Sequence, residues 1–358
     1  MSLTPLGFMR TPEKGLVRLR AQEAADVESL RSHRGVELEW PDQGRPIDEV
    51  MRLAAAGIPI TAADVPDWLP ADLAALLADR AWLAREPDGA WVPREPDGTV
   101  RDVADLRREE HSVRLRRLAH RHADEPAVSV VMSTKRPHLV AHALSQMARQ
   151  RGVRVEVLLG LHGAAFPAVR QAVEDSGLPV EWIEAEQDVP FGEVLNKAAA
   201  LASGDYLAKW DDDDWYGPDH LADLIMAAGY SGADIVGTTG EFFYLKPLDA
   251  TIRRTTFASG AAYPSEVFDD HVAGGTILLP RTTFNDLGGF PALPRAVDLG
   301  FLKAARESGA TVYRTHGLNY VLRRSLDDHT WQLPLAHFLK VATHQWHGFR
   351  PSLLMESA

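Results

Sequence analysis

Tyr206-Leu207-Ala208-Lys209-Trp210-Asp211-Asp212-Asp213-Asp214-Trp215-Tyr216 is the stretch on which the reading of this chain turns. It opens as a short apolar strand and runs into four consecutive acids. Adjacent aspartates repel one another and are poor formers of regular structure, so folding alone does not favour them. Hard carboxylate oxygens gathered at a strand end suit Mg2+ or Mn2+, which can bridge in turn to phosphate oxygens. A solvated acidic turn is the alternative. The apolar strand before the acids and the flanking tryptophans favour metal binding.

Upstream, the pattern alternates between strand and helix. Val128 to Met132 is an apolar, β-branched run of the kind expected for a buried parallel strand. Pro137 to Gln150 has helical spacing, Val153 to Gly160 reads as a strand, Pro167 to Ser176 as a helix, Val180 to Ile183 as a strand and Gly192 to Ser203 as a helix. Such alternation predicts a doubly wound α/β fold with a mostly parallel sheet, whose ligands sit beyond the carboxyl ends of the strands.

Residues 1–125 read differently. Val50, Met51, Leu53 and Ala54, then Leu73, Leu76 and Leu77, recur at helical spacing, with Pro70 in a helix's first turn. A mainly helical region is expected there. Arg85-Glu86-Pro87-Asp88-Gly89 recurs as Arg94-Glu95-Pro96-Asp97-Gly98, which predicts a small hairpin with Asp-Gly turns. The arginines between Arg107 and His122 fit a solvated helix face better than an anion site. A helical extension is expected over 331–358, where His337, His344 and His347 form a packing face.

The composition removes several classes. The 358 residues are 45% hydrophobic and 25% charged, as in a folded globular protein. No cysteine is present, which excludes disulfides, thiolate metal sites and cysteine nucleophiles. A formal charge of −12 argues against general nucleic-acid binding, since a phosphate backbone needs a cationic surface. No apolar run is long enough to span a bilayer, and the first residues lack a secretory pattern, so a cytoplasmic location is expected. Only 7 of 38 basic residues are lysine, which with the abundant alanine suggests a high-GC bacterial coding sequence.

The acidic run, continued by Gly217-Pro218 and Leu221, resembles the Asp-any-Asp-Asp region of GT-A-fold glycosyltransferases of family two. Other pieces follow in that family's order. They are Ser129 to Pro137, Asn196 to Tyr206, Gly274-Gly275-Thr276 with Arg281 and Phe284, Leu287-Gly288-Gly289-Phe290, and Asp298 eleven residues before Gly309. The resemblance covers about residues 126–330 and implies an inverting hexosyltransferase that takes its sugar from a nucleoside diphosphate donor. The chain departs from the pattern at Ser133-Thr134-Lys135-Arg136, where the family has Pro-Thr-Tyr-Asn. It departs again at Leu161-His162, where the family has acids, and at Val297, where it has glutamate.

By resemblance, Asp298 is the general base, with an N-terminal helix-capping role as its structural alternative. Asp213, Asp211 and a late histidine, His329, would hold Mn2+ or Mg2+, with His316 the weaker choice and Asp214 in support. Ser133, Thr134, Lys135, Arg136, His162, Asn196, Asp211 and Asp212 would line the nucleotide. Arg323 and Arg324 would clamp diphosphate. Lys209 is open between a phosphate contact and an ion pair with the aspartates. A UDP-sugar is the default donor, with GDP and TDP open, and the acceptor hydroxyl is unidentified. Residues 1–125 are open between acceptor recognition and self-association into a homo-oligomer. Two other readings of the chain stand beside this one: a sugar-1-phosphate nucleotidyltransferase-like enzyme, and a non-catalytic sugar-nucleotide-binding scaffold.

Overall fold

The computed structural model describes residues 4–7, 12, 14–83, 104–121, 124–257, 259, 261–325 and 334–349. They fall into two compact units, one within residues 1–121 and one within 122–351.

In the first unit, strands β1 (Leu16–Arg20), β2 (Gly35–Glu39) and β3 (Ile60–Ala62) make a parallel sheet in that order. Helices α1 (Val27–Leu30), α2 (Ile47–Ala55), α3 (Ala71–Ala78) and α4 (Ala104–Ala119) complete it. Helical residues predominate among those described, as expected, but the three-stranded parallel sheet they accompany was not expected. The strands are short, and Val36 and Leu38 alternate with Glu37 and Glu39 over too few residues to stand out against the helical periods. Val36, Leu38, Leu53, Ile60, Leu73, Leu77 and Leu115 share one core. Helix α4 is not a solvated face: Arg116 is buried and Arg108 donates to the Arg34 carbonyl at 2.7 Å, whereas Arg121, past the helix end, makes an exposed pair with Asp72 at 3.1 Å. The expected hairpin at 85–98 lies outside the described residues.

The second unit follows the strand–helix alternation: β4 (Ala127–Thr134), α5 (Pro137–Ala148), β5 (Arg154–His162), α6 (Arg170–Ser176), β6 (Val180–Ala185), α7 (Phe191–Ala199) and β7 (Tyr206–Lys209). Next come β8 (Trp215–Tyr216), α8 (His220–Ser231), β9 (Ile235–Thr238), β10 (Phe242–Leu245), β11 (Ala250–Arg253) and β12 (Val267–Phe268). The rest is β13 (Leu278–Pro280), α9 (Arg281–Asp286), α10 (Val297–Glu307), β14 (Val312–Thr315), β15 (Tyr320–Arg324), α11 (Leu335–Leu339) and β16 (His344–His347).

Eight strands form the main sheet in the order β12-β14-β9-β13-β7-β4-β5-β6, antiparallel only at β13 and β12. Its central strand β4 is buried along almost its whole length, which is why that segment reads as a continuous apolar run. A smaller sheet has the order β16-β11-β10-β15-β8. The acidic run is the passage from β7 in the main sheet to β8 in the smaller one. At the C-terminal end, helix α11 is short. His344 and His347 lie on strand β16 against β11, not on a helical face with His337. Among the described residues no helix is long and apolar enough to cross a membrane.

Candidate active site

Strands β4, β5 and β7 run parallel and side by side, so their carboxyl ends open on one edge of the sheet. The four acids leave that edge in alternation. The side chains of Asp211 and Asp213 are 35% and 18% exposed, whereas Asp212 and Asp214 are buried.

The two buried acids are fully engaged. Asp212 accepts from Thr134 Oγ1 and from the Arg136 guanidinium, both at the end of β4. Arg136 also reaches Asp213 at 3.0 Å. Asp214 accepts from the Tyr320 hydroxyl and, at 3.0 Å, from the Arg323 amide, so it fastens the run to β15. Burial, then the neighbouring Asp213, push the Asp214 carboxyl up to about 7. Burial likewise raises Asp212, against the pull of Arg136.

Lys209 is the centre of the site. Its ammonium is buried and lies 2.6 Å from Asp211 Oδ1 and 3.1 Å from Asp298 Oδ1. Burial opposes this charge, but the two carboxylates outweigh it and hold the lysine above its ordinary value. The magnitudes are consistent with that outcome. One pair at this range attracts by about 5–6 kcal/mol at an effective dielectric of about 20, and desolvation costs several kcal/mol for each ion of the pair, so a second partner tips the balance. The ion-pair reading of Lys209 is the one observed.

Asp298 sits in the first turn of α10, and its carboxylate makes no cap to the helix amides. It faces Lys209 instead. Burial raises its pKa, Lys209 lowers it and Asp211 raises it again, for a net upward shift. The Gly274-Gly275 pair explains how two carboxylates fit here. A Cβ on Gly274 would stand 2.2 Å from Asp298 Oδ2, and one on Gly275 would stand 2.7 Å from Asp211 Oδ2. The Tyr216 hydroxyl donates to the Gly275 carbonyl and accepts from the Asp211 amide, both at 2.9 Å. That fixes the glycine turn against the acidic run.

The remaining expected residues divide. Lys135 is exposed at the end of β4, and Ser133 is buried there. Arg323 and Arg324 are partly buried on β15, with Arg323 Nη1 3.1 Å from His142 Nε2. His162 is buried at the end of β5, its Nε2 3.2 Å from the Gln187 carbonyl, and burial followed by Lys135 lowers its pKa. Asn196, expected to line the nucleotide, is held by a neighbouring turn in this structure. Its amide donates to the Phe290 carbonyl and accepts from the Phe290 amide, both at 2.8 Å, so it pins the Gly288-Gly289 turn. His316 is buried 3.5 Å from Asp223, which excludes it from the acidic run's company. His329 lies outside the described residues. Tyr216 packs inside, stacked on Trp210 at 3.6 Å.

Sequence reasoning did not find Tyr320 and Gln146. Gln146 Oε1 accepts from the Tyr216 amide at 2.7 Å and its Nε2 donates to the Asp214 carbonyl at 3.3 Å. Both are distant in sequence from the acids and carry no local signal.

Residues 129–276, about two-fifths of the chain, match the family described as Glycosyl transferase family 2. The matched segment runs from β4 through the acidic run to the glycine pair. The match lies wholly within the second unit, whose main sheet is mostly parallel and alternates with helices. No curated protein matches the chain in sequence. Among solved structures, the mannosyltransferase PcManGT from Pyrobaculum calidifontis, in complex with GDP-Man and Mn2+, is 19% identical with a TM-score of 0.45. That match covers 58% of this chain and 59% of that one. TarS 1–349 from S. aureus, in complex with UDP-GlcNAc, is 15% identical with a TM-score of 0.44, over 60% of this chain and 64% of that one. The chain spans less than two thirds of the length of either.

Proposed function

We propose that this chain is an inverting glycosyltransferase that moves a hexosyl unit from a nucleoside diphosphate sugar, by default a UDP-sugar, to an acceptor hydroxyl. One observation carries the reading: the acidic run at the end of β7 and the candidate base Asp298 meet across a single buried ammonium. In one displacement, the acceptor oxygen attacks the anomeric carbon and the sugar–phosphate C–O bond breaks. Its electron pair leaves with the diphosphate, and the acceptor proton passes to Asp298. Attack opposite the leaving group inverts the configuration.

The donor set suits Mn2+ or Mg2+ in part. Asp211 and Asp213 keep exposed hard oxygens, but among the described residues no three His, Asp or Glu stand together as a ready ligand set. A divalent cation would be held by these two aspartates with the donor's own phosphate oxygens, supplying positive charge to the departing diphosphate. Lys135, Arg323 and Arg324 supply further positive charge from the protein. Thr134 and Arg136 act one step back, by holding Asp212.

The test is thermal unfolding against UDP, GDP and TDP, with and without Mn2+, followed by transfer assays with the matching sugars. A ligand at about 100 times its dissociation constant adds about 2.7 kcal/mol. A metal-dependent shift for one base supports the reading and chooses the donor. No shift with any nucleotide, in a folded protein with metal present, overturns it in favour of a scaffold.

A further inference from the structure

We propose that Lys209 is a positioning residue that sets the separation of the donor-side carboxylate Asp211 and the acceptor-side carboxylate Asp298. The proposal rests on the glycosyl-transfer reading above. Three observations carry it. First, Lys209 is 2% exposed, so its ammonium is not presented to a diphosphate at the surface. Second, the ammonium donates to Asp211 Oδ1 at 2.6 Å and stands at ion-pair distance, 3.1 Å, from Asp298 Oδ1. The other oxygen of each, Oδ2, is seated over Gly274 or Gly275, with no room for a Cβ. Third, the Lys209 amide donates to the Ile277 carbonyl at 2.8 Å. The lysine is therefore tied to the same turn that carries the two glycines.

Each carboxylate is thus gripped from two sides by one connected piece of structure, the end of β7 plus residues 274–277. Acids on separate elements, the loop after β7 and the first turn of α10, would otherwise repel. A fixed ammonium between them holds both ionised at a set spacing. In-line displacement needs this, because the base must stand on the acceptor side while the donor's leaving group is held on the other.

The test is a double-mutant cycle on the full chain with Lys209→Met and Asp298→Asn, read both as transfer kinetics and as thermal stability. Lys209→Met alone is expected to lower kcat at least about 100-fold. Introduced into Asp298→Asn, it should cost about 10-fold or less, well below its effect in the wild type, because one of the two carboxylates it positions has already lost its function and only its hold on Asp211 remains to be lost. The midpoint of unfolding should fall in Lys209→Met and recover in part when Asp298→Asn is added, since neutralising one acid relieves the repulsion. Lys209→Arg, which keeps the charge, should recover part of the kcat. Additive kinetic losses would overturn the proposal. So would a Lys209→Met variant that keeps kcat while nucleotide affinity drops tenfold or more, the mark of a phosphate ligand. If the wild-type chain transfers no sugar, the functional reading fails and this role fails with it, while the stability cycle reports separately on whether the ion pair exists.

Discussion

In the first unit His111 is buried against Trp82, stacked at 4.9 Å, with its Nε2 2.8 Å from the Ile60 carbonyl. Burial holds it neutral, with its pKa lowered to about 4. In the second unit Lys209 is buried as deeply and stays charged, because two carboxylates come with it. Both solutions are stable, but they differ in what they can do. A lone titratable group in an apolar core sheds its charge and becomes packing. A lysine buried with two acids keeps three charges in fixed positions at the edge of a cleft, which is the raw material of a reaction.

The largest expected effect breaks the charged side of this comparison. Asp298→Asn should lower kcat by about 10²–10⁴-fold and also lower the melting temperature, because the buried Lys209 ammonium keeps only one carboxylate partner, as measured by initial rates and calorimetry. Because the Asp298 pKa is raised in the folded protein, wild-type kcat/KM should fall on acidification at a pH above the usual carboxylate range. Steady-state rates across pH 4–8 test this.

Gly274→Ala should cost about 100-fold in kcat, since the new methyl displaces the Asp298 carboxylate without touching any charge. Retained rates in that variant would detach the glycine pair from the site. Asp214→Ala should cost about 4 kcal/mol of stability, because the Tyr320 hydroxyl and the Arg323 amide lose their acceptor. Urea denaturation measures it.

The neutral side of the comparison is sharpened by pH. Below about 6.5 the unfolded chain protonates His111, whereas the folded unit resists until about 4. The contribution of His111 is therefore complete above about 6.5 and falls away between about 6.5 and 4, by about 3 kcal/mol at most. Asp214 has the opposite sign. Its raised pKa means the folded form binds a proton first, so its share of stability falls as pH rises from about 4 to 7. Comparing His111→Gln with wild type by denaturation at several pH values should flatten only the first dependence. The smallest effect is Asn196→Ala, about 2 kcal/mol from two lost backbone contacts, with donor binding unchanged by nucleotide titration.

Much of the second unit could be read in the sequence because its inner strands are buried on both faces. A strand such as β4 leaves an unbroken apolar run, and the acids at the end of β7 stand out by their composition alone. The strands of the first unit could not be read, because β2 alternates over only five residues among stronger helical periods. The partner of Asn196 could not be read for a different reason. An amide on a helix carries no mark of whether it faces a ligand or a neighbouring turn, and here Phe290, ninety-four residues later, decided it.

The sequence by itself determined the alternating strands and helices, the edge of the sheet where acids gather, and the family that this segment resembles. These are local properties, written in periodicity, composition and motif spacing. Only the tertiary structure decided which of the four aspartates are anchors and which keep exposed oxygens. It also decided that Lys209 is held between acids, and that two glycines make room for two carboxylates. Each of those depends on distances between residues far apart in the chain, and the energy of a charge is set by what surrounds it once the chain has closed.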